Sequence, residues 1–540
     1  MNISELIYKQ ADLFPNKTAI MMPHKLGRKY EYTSLSFTEF KTRSIQYSLG
    51  FKRNGIKKGM KVLMFVKPSL DFPIITFSLF KIGAIPIFID PGMGRKNIFK
   101  AIEHMQPDAM VSIPKVHLLS KVFKSVFKNI KYKFTTGNST SSALSIIPWR
   151  TINVPEVNKE VENINDHDLA AILFTSGGTG TPKGVEYTHH IFATQTLMLQ
   201  KLFNLTESDI DLPGFPLFSL FTMSMGMTSV IPDMDPSRPA KVKAKNLVQN
   251  ILDQKATFIA GSPAIWERVG EYCLKKSIKL ESVKYLVMFG APVSPDIHKM
   301  WSKILPNGTT YTPYGATECL PISCISGREL EGSKTDSNLL GQGTCIGRPL
   351  EQVQVKVIKQ TDNLIKNVSN LVEMDPWNIG EIIVKSEVAT KAYFNAKEKT
   401  EFTKIPDGDS FWHRMGDMGY IDSDGALWFC GRCAHKVIIE GKIHSPIQSE
   451  AIFNKDPNVK RSALIPYNNK SAIIIEPAQS FQRFFLFNRK LRKQLLNLSQ
   501  SHKKTQHVTN VFFKKSFPVD VRHNIKIDRI KLKNEFGGHS

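Results

Sequence analysis

The chain has 540 residues, of which 72 are Lys or Arg and 48 are Asp or Glu, for a formal net charge of +24. That length supports several hydrophobic cores, three or four at about 150 residues each. No zinc-finger spacing or RNA-recognition aromatic pattern accompanies the positive charge and the basic residues are scattered rather than blocked, so nucleic acid is excluded as the expected partner, leaving anionic lipid surfaces or acidic small substrates.

The first ten residues, Met1 to Gln10, lack a basic start followed by an apolar core, so no secretory leader is expected. The six cysteines, Cys273, Cys319, Cys324, Cys345, Cys430 and Cys433, fit free thiols in a reducing cytoplasm. Apolar runs of strand length, such as Lys61 to Val66, alternate with helical patterns and predict α/β layers. Phe72 to Ile89 is the most apolar segment, but Pro73, Lys81 and Pro86 break it, which argues against a membrane span.

Ala171 to Phe174 reads as a buried strand end, and hydroxyls and glycines follow at once in Thr175-Ser176-Gly177-Gly178-Thr179-Gly180-Thr181-Pro182-Lys183-Gly184-Val185. Glycines let backbone N–H groups approach an anion, Thr175, Ser176 and Thr179 offer hydroxyl donors, and Lys183 adds a charge that can reach phosphate. A Walker loop needs Gly-Lys-Ser/Thr opening a helix, whereas Pro182 precedes this lysine and Gly184 follows it, so the loop is of another kind. ATP handling is the first expectation.

Further along, Gly290-Ala291-Pro292 follows the apolar run Tyr285 to Phe289 and so sits at a strand end. Then come Tyr311-Thr312-Pro313-Tyr314-Gly315-Ala316-Thr317-Glu318, Trp412-His413-Arg414-Met415-Gly416-Asp417-Met418-Gly419-Tyr420, and Gly431-Arg432. Cys430-Gly-Arg-Cys433 has the spacing of a redox pair, but it overlaps the Gly-Arg segment and lacks a thioredoxin-like context, so the spacing is read as chance. Arg489 to Leu498 is a basic amphipathic stretch, either a helix packing its leucines inward or a membrane-surface element.

The order of these motifs resembles the adenylate-forming superfamily, which includes acyl-CoA synthetases, luciferases and the adenylation domains of peptide synthetases. Gly178 stands where that superfamily more often has serine. The resemblance implies an α/β fold with a large multi-layer N-terminal domain and a small α+β C-terminal lid, residues 1–432 and 433–540 here. It also implies that Tyr314 stacks on adenine beside Gly315, that Gly290, Ala291 and Pro292 pass along the base, and that Thr317 contacts the α-phosphate. Glu318 would ligate magnesium, Asp417 would hold the ribose hydroxyls with Arg432, and Lys526 would bridge the substrate carboxylate and the phosphate.

Leu212 to Phe221, Gly226 to Ala240, Ile89 to Gly94 and Val519 to Asn524 resemble the β-lactone synthetases of bacterial long-chain olefin biosynthesis, over nearly the whole chain. That likeness implies ATP and Mg2+ as cofactors and activation of a long-chain 2-alkyl-3-hydroxy acid, with a fatty acyl ligase making a thioester as the alternative. Ser219 replaces the histidine that commonly follows Pro-Leu-Phe in acyl-CoA synthetases, and Ala434 replaces the usual Asp or Lys at the hinge, which weakens the case for CoA. His189, His190 and His523 are nominees for the base that takes the 3-hydroxyl proton. Peripheral membrane contact and a pathway-enzyme assembly stay open.

Overall fold

The apolar run at residue 61 forms the strand Lys61–Phe65, which pairs in parallel with Ile85–Ile89, all five of whose residues are buried. A strand apolar along its whole length must be covered on both faces, which is the environment of a parallel sheet flanked by helices. Helix Asp71–Lys81 supplies one cover and buries every residue from Phe72 to Phe80. The most apolar segment of the chain is thus a helix followed by a strand, and no helix among the described residues is long and apolar enough to cross a membrane.

A computed structural model describes residues 2–136, 147–148, 163–175, 182–331, 337, 340–478, 489–519 and 527–537. Its seven-stranded sheet runs Ile147–Pro148, Tyr132–Thr135, Ala109–Ser112, Lys61–Phe65, Ile85–Ile89, Leu169–Thr175, Lys183–Thr188 in spatial order. An eight-stranded sheet runs Cys319–Ser326, Thr309–Ala316, Tyr285–Met288, Phe258–Gly261, Ile210–Pro213, Thr228–Val230, Thr18–Leu26, Lys29–Ser36. Both are parallel in the middle and close with an antiparallel hairpin, and strand ends of both sheets, with the 317–318 turn of the second, line one shared cavity.

A third, antiparallel sheet places Leu427–Arg432 beside Ser410–Ile421, then Gly380–Lys385 and Gln354–Ile358. The remaining C-terminal elements are a two-stranded ribbon, Val437–Ile439 with Lys442–His444, and a three-stranded sheet of Val459–Tyr467, Lys470–Pro477 and Val508–Phe513. Helices Pro446–Phe453, Arg489–Ser501 and Arg529–Phe536 accompany them. Arg489–Ser501 buries Leu491 and Leu495, so its leucines pack inward as a lid helix would require. All six cysteines are free. The α/β body with a smaller mixed C-terminal region is the expected architecture.

One buried charge stands out in the frame. Asp211, on Ile210–Pro213, is wholly buried; its Oδ2 accepts the Thr222 hydroxyl at 2.6 Å from helix Phe218–Ser224, while Oδ1 has no partner among the described residues. Burial pushes its carboxyl up to about 7. A raised acid pKa means that the folded state binds the proton more tightly than the unfolded state, so its contribution to stability is full below about pH 4 and is lost as pH rises towards about 7. Asp211→Asn is therefore expected to raise the melting temperature at pH 8 but not at pH 4, measured by scanning calorimetry; an equal change at both pH values would contradict this.

Candidate active site

The predicted phosphate loop is held at its two ends by a strand ladder. Leu169–Thr175 pairs antiparallel with Lys183–Thr188, and Thr175 is registered opposite Lys183, so the lysine is fixed where the hairpin opens. Ser176, Gly177, Gly178, Thr179 and Gly180 lie outside the described residues, as do Lys526 and His523.

Thr317 and Glu318 form the turn between Thr309–Ala316 and Cys319–Ser326. Gly315 adopts φ +155°, and a Cβ there would come within 2.6 Å of the Cys319 carbonyl oxygen, which is why this hairpin needs glycine just before its turn. The Tyr187 hydroxyl donates to Thr317 O at 2.6 Å, and the Tyr393 hydroxyl donates to Glu318 Oε1 at 2.6 Å. Both tyrosines are buried, and burial drives both phenol pKa values upward, so each stays a proton donor. The turn is thereby tied down from two sides.

Asp417 and Arg432 are 15 residues apart in sequence yet direct cross-strand partners of Ser410–Ile421 and Leu427–Arg432. Arg432 Nη1 donates to Asp417 Oδ1 at 2.7 Å, and Tyr314 Oη donates to Asp417 Oδ2 at 2.7 Å. Each carboxylate oxygen keeps a lone pair for a further hydroxyl, because an ionised carboxylate accepts at about four positions. Burial, reinforced by Asp417, raises the Tyr314 phenol well above its ordinary range. Gly290, at φ +87°, lies two residues beyond the strand Tyr285–Met288 and leads into Ala291 and Pro292.

Lys183, Gly290, Ala291, Pro292, Tyr314, Gly315, Thr317, Glu318, Asp417 and Arg432 all line one cavity of about 3190 Å³. Single-ligand sites commonly hold about 300–1,000 Å³, so this open cleft has room for two ligands, one at the polar residues above and a second beside it. The second part is apolar, lined by Phe72, Phe88, Leu199, Phe218, Phe221 and Phe289. Phe218 stacks against Phe289 at 4.3 Å between ring centres, and Phe221 packs on Phe192 at 5.6 Å. Ser219 turns away from it, donating to Pro216 O at 2.7 Å.

Two of the nominated histidines are elsewhere. His189 is fully buried, its Nδ1 accepting from the Ile3 N–H at 3.3 Å, and burial pushes its imidazole down to about 4. His190 lies 3.4 Å from Glu387 and 3.9 Å from Asp166. Neither lines the cavity, because both begin helix His189–Phe203 on the side that meets the N-terminal helix and the 166–168 turn. Sequence reading also passed over Tyr187, Tyr393 and Lys399, whose Nζ lies 5.6 Å from the Tyr393 ring centre. A tyrosine or lysine outside a glycine-rich motif carries no local signal, and only the fold brings these three to the site.

The profile described as AMP-binding enzyme matches residues 7–394. The chain belongs to the AMP-binding enzyme family. Two bacterial relatives carry the name olefin beta-lactone synthetase. The protein of Xanthomonas campestris pv. campestris is 34% identical, with 98% of this chain and 96% of that protein covered. The protein of Stenotrophomonas maltophilia is 33% identical, with 98% and 97% covered. Among solved structures, the amide bond synthetase McbA of Marinactinospora thermotolerans superposes with a TM-score of 0.79 over 99% of this chain and all of its own, at 18% identity, a likeness of fold.

Proposed function

We propose that this AMP-binding enzyme activates a long-chain 2-alkyl-3-hydroxy acid with ATP and closes it to a β-lactone, releasing AMP and pyrophosphate. The observation that carries this reading is the 34% identity to an olefin beta-lactone synthetase over 98% of the chain, the C-terminal region included. The apolar wall of the cavity, running from Phe72 to Phe289 beside the nucleotide residues, suits such an acid.

In the first step a carboxylate oxygen attacks the α-phosphorus, the bond to the bridging α–β oxygen breaks, and pyrophosphate leaves with the electron pair. Two anions must approach, so cations and donors around the phosphate lower the barrier. Lys183 and the hydroxyls of Thr175, Ser176 and Thr179 are assigned to the phosphates, Thr317 to the α-phosphate, and Lys526 to the bridge between carboxylate and phosphate. Tyr314 holds the base along Gly290–Pro292, and Asp417 with Arg432 holds the ribose. We place the lid at residues 433–540, which puts Lys526 on it.

Magnesium fits the donor set: Glu318 gives one oxygen to Tyr393, its other oxygen takes no hydrogen bond from the described residues, and no group of three His, Cys, Asp or Glu lies together among them. A single carboxylate with the nucleotide's own oxygens is how this ion is commonly held. Bound there, it would supply charge neutralisation at the phosphates.

In the second step the 3-hydroxyl attacks the acyl carbon of its own adenylate, the acyl–oxygen bond breaks, AMP leaves with the electron pair, and the hydroxyl proton is released to solvent. The ring is strained, but the mixed anhydride is activated and the nucleophile already tethered, so little translational entropy is spent. Mass spectrometry of the product formed with magnesium-ATP and a synthetic 2-alkyl-3-hydroxy acid is expected to show the acid less one water, formed without CoA. A product that appears only with CoA, as a thioester, would assign the chain to the acyl-CoA ligases instead.

A further inference from the structure

Two lysines converge on one aromatic ring at the edge of the nucleotide site. The segment that carries Tyr393 is stitched to the strand that carries Lys183: Val185 bridges Tyr393, and the Phe394 N–H donates to Gly184 O at 2.9 Å. A few residues on, helix Lys397–Thr403 presents Lys399, so that Lys399 Nζ and Lys183 Nζ lie 5.6 and 5.9 Å from the centre of the same Tyr393 ring. Lys399 acts electrostatically on Lys183, and both side chains line the cavity. Among the described residues neither has an ion-pair partner: Glu318, whose charge acts on Lys183, gives Oε1 to Tyr393 instead.

Like charges held this close repel, and repulsion is worst where burial removes water. Burial, followed by Lys399, brings Lys183 down to about 8. The pair becomes favourable once an anion carrying at least two charges comes between its members. The strand that carries Lys183 continues the glycine and hydroxyl loop read as a phosphate cradle, which places that anion on the nucleotide side of the cavity rather than the acyl side. When the α–β bond breaks, the negative charge that develops belongs to pyrophosphate.

We propose that Lys399, together with Lys183, grips the β- and γ-phosphates and the departing pyrophosphate; this rests on the adenylate-forming reading. The side chain is partly exposed, so its replacement leaves the core intact. AMP lacks both phosphates and should not sense the change.

Calorimetric titration of wild type, Lys399→Gln and Lys399→Arg with inorganic pyrophosphate and, separately, with AMP tests this. Lys399→Gln is expected to bind pyrophosphate about tenfold more weakly and to raise KM for ATP more than it lowers kcat, with AMP affinity unchanged, while Lys399→Arg retains pyrophosphate binding, as loss and retention of one charge-assisted contact would produce. Unchanged pyrophosphate affinity in Lys399→Gln, or equal weakening of pyrophosphate and AMP, overturns the assignment. Failure of wild type to release pyrophosphate from ATP with any carboxylic acid would instead overturn the adenylate-forming reading, so the two failures are distinguishable.

Discussion

Glu318→Gln is expected to slow pyrophosphate release about a hundredfold or more, the usual scale for losing one group that stabilises developing charge, and to raise the magnesium concentration needed for half-maximal rate. The substitution is chosen for what it preserves. Glutamine is nearly isosteric, and its amide oxygen can still accept the Tyr393 hydroxyl that Glu318 Oε1 now accepts at 2.6 Å, so the turn between the two strands keeps its anchor. The Tyr187 bond to Thr317 O, also 2.6 Å, is untouched. What disappears is one negative charge facing the phosphates. A magnesium titration of the initial rate checks this, and a variant whose magnesium dependence matches wild type would remove Glu318 from the metal's ligands, whatever the fall in rate.

How much of this site could be read from sequence differs by motif, for physical reasons. The segments around Lys183, Glu318 and Asp417 are local: each is a strand end or turn whose glycines and charged residues lie within a dozen positions, so the string displays the chemistry. The pairing of Asp417 with Arg432 was legible only as a family resemblance, because it depends on antiparallel register between two strands, which no local spacing encodes. Lys399 and Tyr393 left no trace, since their importance comes from a bridge between Val185 and Tyr393, 208 positions apart. His189 and His190 lie outside the cavity for the opposite reason. They follow the glycine loop closely in sequence, but the strand Lys183–Thr188 runs its length before the helix starts, and the imidazoles then face Ile3, Asp166 and Glu387. The fold class was the easiest part, because buried parallel strands such as Ile85–Ile89 write their environment directly into an unbroken apolar run.

Asp417→Ala is expected to weaken ATP binding about a hundredfold, which is the sum expected when two hydrogen bonds to a charged acceptor, each about 1.5 kcal/mol, are lost. The more telling outcome is selectivity. Asp417 is almost wholly buried, and its position is fixed by Arg432 on one oxygen and Tyr314 on the other, both at 2.7 Å. A carboxylate so constrained discriminates between hydroxyl and hydrogen on the sugar, because a missing hydroxyl leaves a desolvated acceptor unpaired. Wild type should therefore prefer ATP to 2′-deoxy-ATP, and Asp417→Ala should lose most of that preference while losing affinity. The protein itself should tolerate the change, since the Arg432 side chain is 41% exposed and can turn to water once its partner is gone. Competition binding with the two nucleotides separates this from a general loosening of the pocket. If Asp417→Ala weakens both nucleotides and keeps the wild-type preference, the carboxylate orients Tyr314 and Arg432 but does not itself touch the ribose.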